Sequence, residues 1–212
     1  MHNVVVFTGD FIDSTTAGRV IVDQAMAVLE ALFADQARST GTDIRFARYR
    51  GDGWQAYAEN PAEAFRLALL VLAELRRHPA LPPTRLAVAI GPCDPMPPHG
   101  LAAAGGKAFV LSGTALDNMG RNRMILVGPG ATPDRKALFA YLDWQADRWS
   151  PEQAEAIALA CHNYPPQPHK VEAELGISRQ AAAARLKGAG YAPVAATLIA
   201  FATAPAGELA HG

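Results

Sequence analysis

The 212-residue chain predicts an α+β fold, with a ferredoxin-like βαββαβ domain first and a small all-α helix-turn-helix domain after it. Three observations carry this reading. Val4-Val5-Val6-Phe7 is a continuous apolar run, typical of a strand buried on both faces. The strand-like stretch from Ile44 to Tyr57 is broken once, at Gly51-Asp52-Gly53, where the glycines supply the positive-φ positions of a tight hairpin. Further on, Gly176 can end one helix in the αL region, Ile177 fills the angle, and Ser178 caps the next helix.

Half of the residues are hydrophobic, enough for one good core and a small second one. The net charge is -1, so no global field draws the chain to nucleic acid or an anionic membrane, and any such contact must be local. The two cysteines and the lack of a secretory pattern at the start predict a cytoplasmic location. Cys161 and His162 are adjacent, and Cys93 and His99 have no companion pair, which argues against a zinc site. The stretch Val194 to Ala202, interrupted by Thr197, is too short to span a bilayer, which takes about 20 residues.

The elements follow in order. The first strand ends at Gly9-Asp10, and Phe11 to Thr16 form a loop with several capping residues. Ile21, Ala25, Val28, Leu29, Leu32 and Phe33 then mark an amphipathic helix with Arg19 near its start. After the hairpin, Pro61 opens a second helix with Leu67, Ala68, Val71 and Leu75 on its face, and Pro82-Pro83 ends it. Arg85 to Gly91 is another buried strand. Ala108 to Leu111 form a short element before a helix through Ala115, Leu116 and Met119, and Met124 to Val127 are the last strand. Pro92 to Gly106, rich in Pro and then in Ala and Gly, predict a mobile loop near the site. A phosphate-loop reading of Gly105-Gly106-Lys107 fails, because Leu101 and Ala108 stand where a glycine and a Ser or Thr belong. A helix over Asp134 to Asp147 precedes a clean start at Ser150-Pro151, and a boundary near 147 divides the chain into 1–147 and 148–212.

The βαββαβ order, with helices on one face, makes a geometric prediction. The strand after the hairpin runs antiparallel beside the first, so Asp52 comes next to Asp10 across 42 positions of sequence. Magnesium and manganese take carboxylate oxygens and bridge them to triphosphates, and these two residues have that chemistry. Either one alone has an ordinary reading, Asp52 as a turn residue and Asp10 as a cap. Arg48, Arg50 and Lys107 add positive charge suited to an anion. Alternatively, Arg48 or Arg50 pairs with Asp13 or Asp52 and stabilises the hairpin.

In the helix-turn-helix, Ser178, Arg179, Gln180, Arg185 and Lys187 would face DNA, and no acid lies between Ser178 and Gly190. From Ser150 onward, however, four bases (Lys170, Arg179, Arg185, Lys187) meet five acids (Glu152, Glu155, Glu172, Glu174, Glu208), a weak balance for solitary binding. Dimerisation would double the contacts. The apolar helix around Val194, Leu198, Ile199 and Phe201 either pairs subunits or closes its own core.

Gly9-Asp10-Phe11-Ile12-Asp13-Ser14 with Arg19, Gly51-Asp52-Gly53-Trp54-Gln55, Arg85 to Pro92, and Gly106-Lys107-Ala108-Phe109 together resemble the class III nucleotide cyclase homology domain. The chain resembles more closely the SatD-type bacterial family, whose members look like a cyclase-type sheet followed by a helix-turn-helix. The resemblance implies that Asp10, Asp52 and the Phe11 backbone bind Mg2+ or Mn2+, and on the cyclase pattern, though not the SatD-type one, that Arg121 stabilises a transferring phosphoryl group; with their charge, Arg48 and Lys107 are the residues expected to border a nucleotide. Arg48 and Val110 stand where adenylyl cyclases read adenine with lysine and aspartate, and Asp117 stands at the asparagine position, with Asn118 beside it. The expectation is a homodimeric transcriptional regulator that binds a nucleoside triphosphate and contacts DNA. The alternatives are an active nucleotidyl cyclase and a protein-interaction module on a degenerate cyclase scaffold.

Overall fold

The computed structural model describes residues 3–120 and 122–203. Its first part contains β1 (Asn3–Phe11), α1 (Ser14–Ala17), α2 (Arg19–Thr40), β2 (Ile44–Arg48), β3 (Gly53–Ala58), α3 (Ala64–Arg76), β4 (Thr84–Pro92), α4 (Lys107–Asp117), β5 (Met124–Val127) and α5 (Pro133–Ala146). Four helices follow: α6 (Pro151–Cys161), α7 (His169–Leu175), α8 (Arg179–Gly188) and α9 (Tyr191–Thr203). The fold is α+β, with one five-stranded sheet in the order β2-β3-β1-β4-β5. β1 runs antiparallel to both of its neighbours, β2 and β3 form the hairpin, and β5 joins β4 in parallel. No helix among the described residues is long and apolar enough to cross a membrane.

Both faces of this sheet are covered, whereas the sequence predicted helices on one. Val5, Phe7, Trp54, Val88 and Ile90 join the large core built with α2, α3 and α5. Val4, Val6, Tyr57 and Ala89 face the other way and pack with Ala108 and Phe109 of α4. The cause is in β1 and β4, which are apolar at successive positions and so leave neither face fit for water. The run Ala108 to Leu111, read from sequence as a separate element, is the first part of α4.

Gly9 is fixed by its surroundings. A Cβ there would lie 2.5 Å from Cε2 and Cζ2 of Trp54 and 2.7 Å from the Arg85 carbonyl. The absent side chain lets the fully buried indole lie against β1, where its Nε1 donates to Thr84 Oγ1 at 3.1 Å. That hydroxyl in turn donates to the Asp10 carbonyl at 2.8 Å. One ring thereby ties β3, β1 and β4 together.

The later helices share the large core. Phe201 of α9 sits 5.6 Å from Phe65 and 6.0 Å from Phe139, ring centre to ring centre. Val194, Leu198 and Phe201 are buried within this chain, while Ile199 is exposed. Ser150 caps α6 in a reciprocal capping box with Gln153. Trp149 is buried and donates from Nε1 to the Ala189 carbonyl at 2.8 Å. Arg76 of α3 donates to the Trp149 carbonyl at 2.8 Å. A second polar link is deeper: buried Arg66 donates to Gln36 Oε1 and to the His162 carbonyl, both at 2.5 Å.

Two expectations follow. Gly9→Ala forces Trp54 or β4 to shift and lowers unfolding free energy by about 1–3 kcal/mol, read as a lower denaturant midpoint. His162 is held below its ordinary pKa of 6.5, mainly by burial, which outweighs the opposing pull of Asp35 2.8 Å away. The folded state therefore favours neutral imidazole, and the unfolded chain takes up its proton first as pH falls. This stability is present above pH 6.5 and is lost as pH falls through the folded value, so urea midpoints measured from pH 7.5 downward decline less in His162→Gln.

Candidate functional site

At the end of β1, Asp10 lies opposite Gly53 of β3 and Arg85 of β4. Asp52 immediately precedes Gly53, in a turn held by Gly53 N–H donating to the Arg50 carbonyl and Tyr49 N–H donating to the Gly53 carbonyl, each at 2.8 Å. Gly51 takes φ 59°, the left-handed conformation that a side chain resists. The register therefore places both carboxylates at one strand end. Alternation sends the side chains of Thr8 and Asp10 to the α4 face, where Thr8 Oγ1 lies 2.8 Å from Ser112 Oγ of α4.

Each carboxylate already has a partner. Arg85 grips Asp10 in the bidentate manner, Nε donating to Oδ1 at 2.8 Å and Nη2 to Oδ2. Asp52 accepts a short hydrogen bond from Ser14 Oγ. The Arg85 guanidinium is held above its ordinary pKa, first by the hydrogen bond to Asp10 and then by the fields of Asp10, Asp52 and Asp117. A side chain thus supplies the positive charge at this strand end. Among the described residues no three His, Cys, Asp or Glu side chains gather as a metal-binding group. The donors on hand for a hard cation are the two carboxylates, the right oxygen chemistry, with Arg85 as the resident competitor.

Other residues singled out in the sequence lie apart. Arg48 donates to Asp23 of α2 at 2.6 Å and to the Gly51 carbonyl at 2.8 Å, and so pairs with neither Asp13 nor Asp52. The Arg50 guanidinium lies 5.9 Å from the centre of the exposed Tyr49 ring. Lys107 opens α4, and the next residue, Ala108, lies against Gly91, which pairs with Val4. The helix rises about 1.5 Å per residue from there, so Lys107 stands at the far end of the sheet from Asp10, and Asp117 at the near end. Arg121 lies outside the described residues.

Pro92 to Gly106, predicted as a mobile loop near the site, also lies at that far end. Its ends meet where Asp94 N–H donates to the Gly105 carbonyl at 3.1 Å. Arg45 pins it through the carbonyls of Pro97 (2.6 Å) and Gly100 (3.1 Å), and Leu101 is buried beneath it. Gly106 takes φ 105°, and a Cβ there would fall 2.5 Å from Asp94 N.

The turn between α7 and α8 has the local form expected. Gly176 is left-handed (φ 61°, ψ 29°), and Ser178 Oγ accepts from Ala181 N–H at 3.2 Å. Ala182 and Leu186 face inward, while Ser178, Arg179, Gln180 and Lys187 are exposed. Arg185 is half-buried and donates to Glu155 of α6 at 3.1 Å. The residue that sequence reasoning missed is Arg85, noticed only as the start of a strand. The signal was there: a charged residue opening an apolar strand antiparallel to β1 falls opposite the end of β1.

A double-mutant cycle with Asp10→Asn and Arg85→Gln should return a coupling of about 1 kcal/mol, as expected for a partly exposed but bidentate pair. No family model matches the chain, and no curated protein matches it. Among solved structures it is similar to a bacterial light-regulated adenylyl cyclase, with 15% sequence identity and a TM-score of 0.43, over 59% of this chain and 75% of that one.

Proposed function

We propose that the sheet domain binds a nucleoside triphosphate with Mg2+ or Mn2+ at Asp10 and Asp52, and that the helix-turn-helix carries the response to DNA, making the protein a cytoplasmic, homodimeric transcriptional regulator of the SatD-like, cyclase-type kind. One observation carries this reading: the β1–β3 register that sets Asp10 against Gly53 and so brings Asp52 alongside. The βαββαβ strand order and the sequence motifs that resemble the cyclase homology domain support it. A divalent ion would supply charge neutralisation and a bridge to phosphate oxygens.

The chain's own residues set the terms of that binding. Each oxygen of Asp10 accepts one hydrogen bond from Arg85, so a cation would compete with the guanidinium for this carboxylate. The Phe11 backbone would add a ligand next to Asp10 through the resemblance alone. Arg48 and Lys107, paired with Asp23 or set at the far end of the sheet, lie outside this group. Arg121 keeps the phosphoryl-stabilising role through the resemblance alone. On α8, Ser178, Arg179, Gln180 and Lys187 offer an exposed polar face to DNA, whereas Arg185 must first leave Glu155.

A second reading is favoured by the same contacts. Asp10 and Asp52 each have a partner within the chain, as on a degenerate scaffold that serves protein interaction.

Calorimetric titration with each of the four nucleoside triphosphates and Mn2+ separates these. The regulator reading expects manganese-dependent binding, weakened about tenfold or more, roughly 1.4 kcal/mol, in Asp10→Asn and in Asp52→Asn. Arg85→Ala should bind Mn2+ more tightly, because Asp10 is released. No binding of any of the four leaves the scaffold reading, and pyrophosphate release marks an active cyclase. For DNA, Arg179→Ala/Lys187→Ala should weaken low-salt binding and reduce the slope of log affinity against log salt by roughly 2.

A further inference from the structure

Behind the strand end that carries Asp10, on the opposite face of the sheet, lies a cavity of about 260 Å3. Its walls are the C-terminal half of α3, the loop from α3 to β4, and α5. Leu72, Leu75, Pro79, Leu81, Ala146 and Pro151 make most of it apolar. The volume falls just below the range of roughly 300–1,000 Å3 that holds drug-sized ligands, which suits a molecule of about ten non-hydrogen atoms.

Charge narrows the class further. Two arginines, Arg76 and Arg123, face two aspartates, Asp143 and Asp147. Arg123 Nη1 lies 2.6 Å from Asp147 Oδ1 and its Nη2 3.6 Å from Asp143 Oδ1. Arg76 is spent on the carbonyls of Trp149 and Asp147. His78 is held below its ordinary pKa, mainly by burial, and so adds no charge near neutrality. An anion here would meet the aspartates and a cation the arginines, and either would have to break a partly desolvated pair. Asp143 differs from the others. Arg123 reaches it only at 3.6 Å, beyond a hydrogen bond, and burial, the largest influence on it, holds its carboxyl above the ordinary pKa, so its oxygens have lone pairs left for a donor.

We propose that this cavity binds a small uncharged ring compound, apolar over most of its surface, whose single N–H donates to Asp143. The cavity opens to solvent, so a ligand can enter without any element moving. Bound there, the ligand also touches Thr84, whose hydroxyl holds the Asp10 carbonyl, and Asp147 and Pro151 at the joint between α5 and α6.

The probe is indole, titrated into the full 15N-labelled chain and followed by amide shifts. Three analogues dissect the claim: 1-methylindole lacks the donor, indole-3-acetate is an anion, and tryptamine is a cation. Indole should bind in the millimolar range or tighter and shift the amides of Leu75, Thr84 and Ala146, with all three analogues weaker by about tenfold. Leu81→Trp, which fills the cavity from the loop, and Asp143→Ala, which removes the acceptor, should each cost about tenfold in indole affinity. The thermal midpoint, measured alongside, shows that both variants are folded. The site is overturned if indole shifts none of these amides at millimolar concentration, or if both folded variants bind it unchanged. Equal binding of 1-methylindole overturns the role of Asp143, and equal or tighter binding of either charged analogue overturns the neutral class.

Discussion

The contact on which the sheet depends is the one between the Trp54 indole and the bare backbone of Gly9. It spans three strands: the ring belongs to β3, lies on β1, and its N–H reaches Thr84 of β4. A strand that slips by one residue turns every side chain to the opposite face. At this position a slip would drive a Cβ into the indole, so the register is held by volume as well as by hydrogen bonds. The placement of Asp10 between Gly53 and Arg85 is a consequence of that contact.

From this register the electrostatics follow. Three acids, Asp10, Asp52 and Asp117, act on one guanidinium through their fields, Asp10 in direct contact, and an uncompensated group of carboxylates at a strand end would repel. Arg85 relieves the repulsion, and Ser14 donates one hydrogen bond to Asp52. The same arrangement can be read as a site guarded by its own cation or as a site that has closed, and Arg85 is the residue on which the two readings differ.

The sequence made much of the sheet legible because its signals are local. Val4 to Phe7 and Arg85 to Gly91 are strands by composition, Gly51-Asp52-Gly53 is a turn by backbone conformation, and Gly176 and Ser178 end and begin helices where their side chains or lack of them permit. The convergence of Asp10 and Asp52 was legible too, because it needs only strand direction. What was not legible depends on distant partners. The seat of Arg48 on Asp23 and of Arg185 on Glu155 joins separate elements. The far-end position of Lys107 depends on the direction in which α4 crosses the sheet. The long loop looked mobile because its Pro, Ala and Gly content gives no hint that Arg45 and a buried Leu101 would hold it down.

The seat of Phe201 between Phe65 and Phe139 bears on how such a chain comes to be folded. Residue 65 leaves the ribosome long before residue 201, and in that interval the outer surface of α3 has no apolar cover from α6 or α9. Contacts of such large sequence separation form late, since the loop they close must be ordered before they contribute. At ordinary synthesis rates of roughly 5–20 residues per second, the gap lasts on the order of ten seconds. The sheet can take shape in that time, but its helical layer stays open to other partners until α9 has been made.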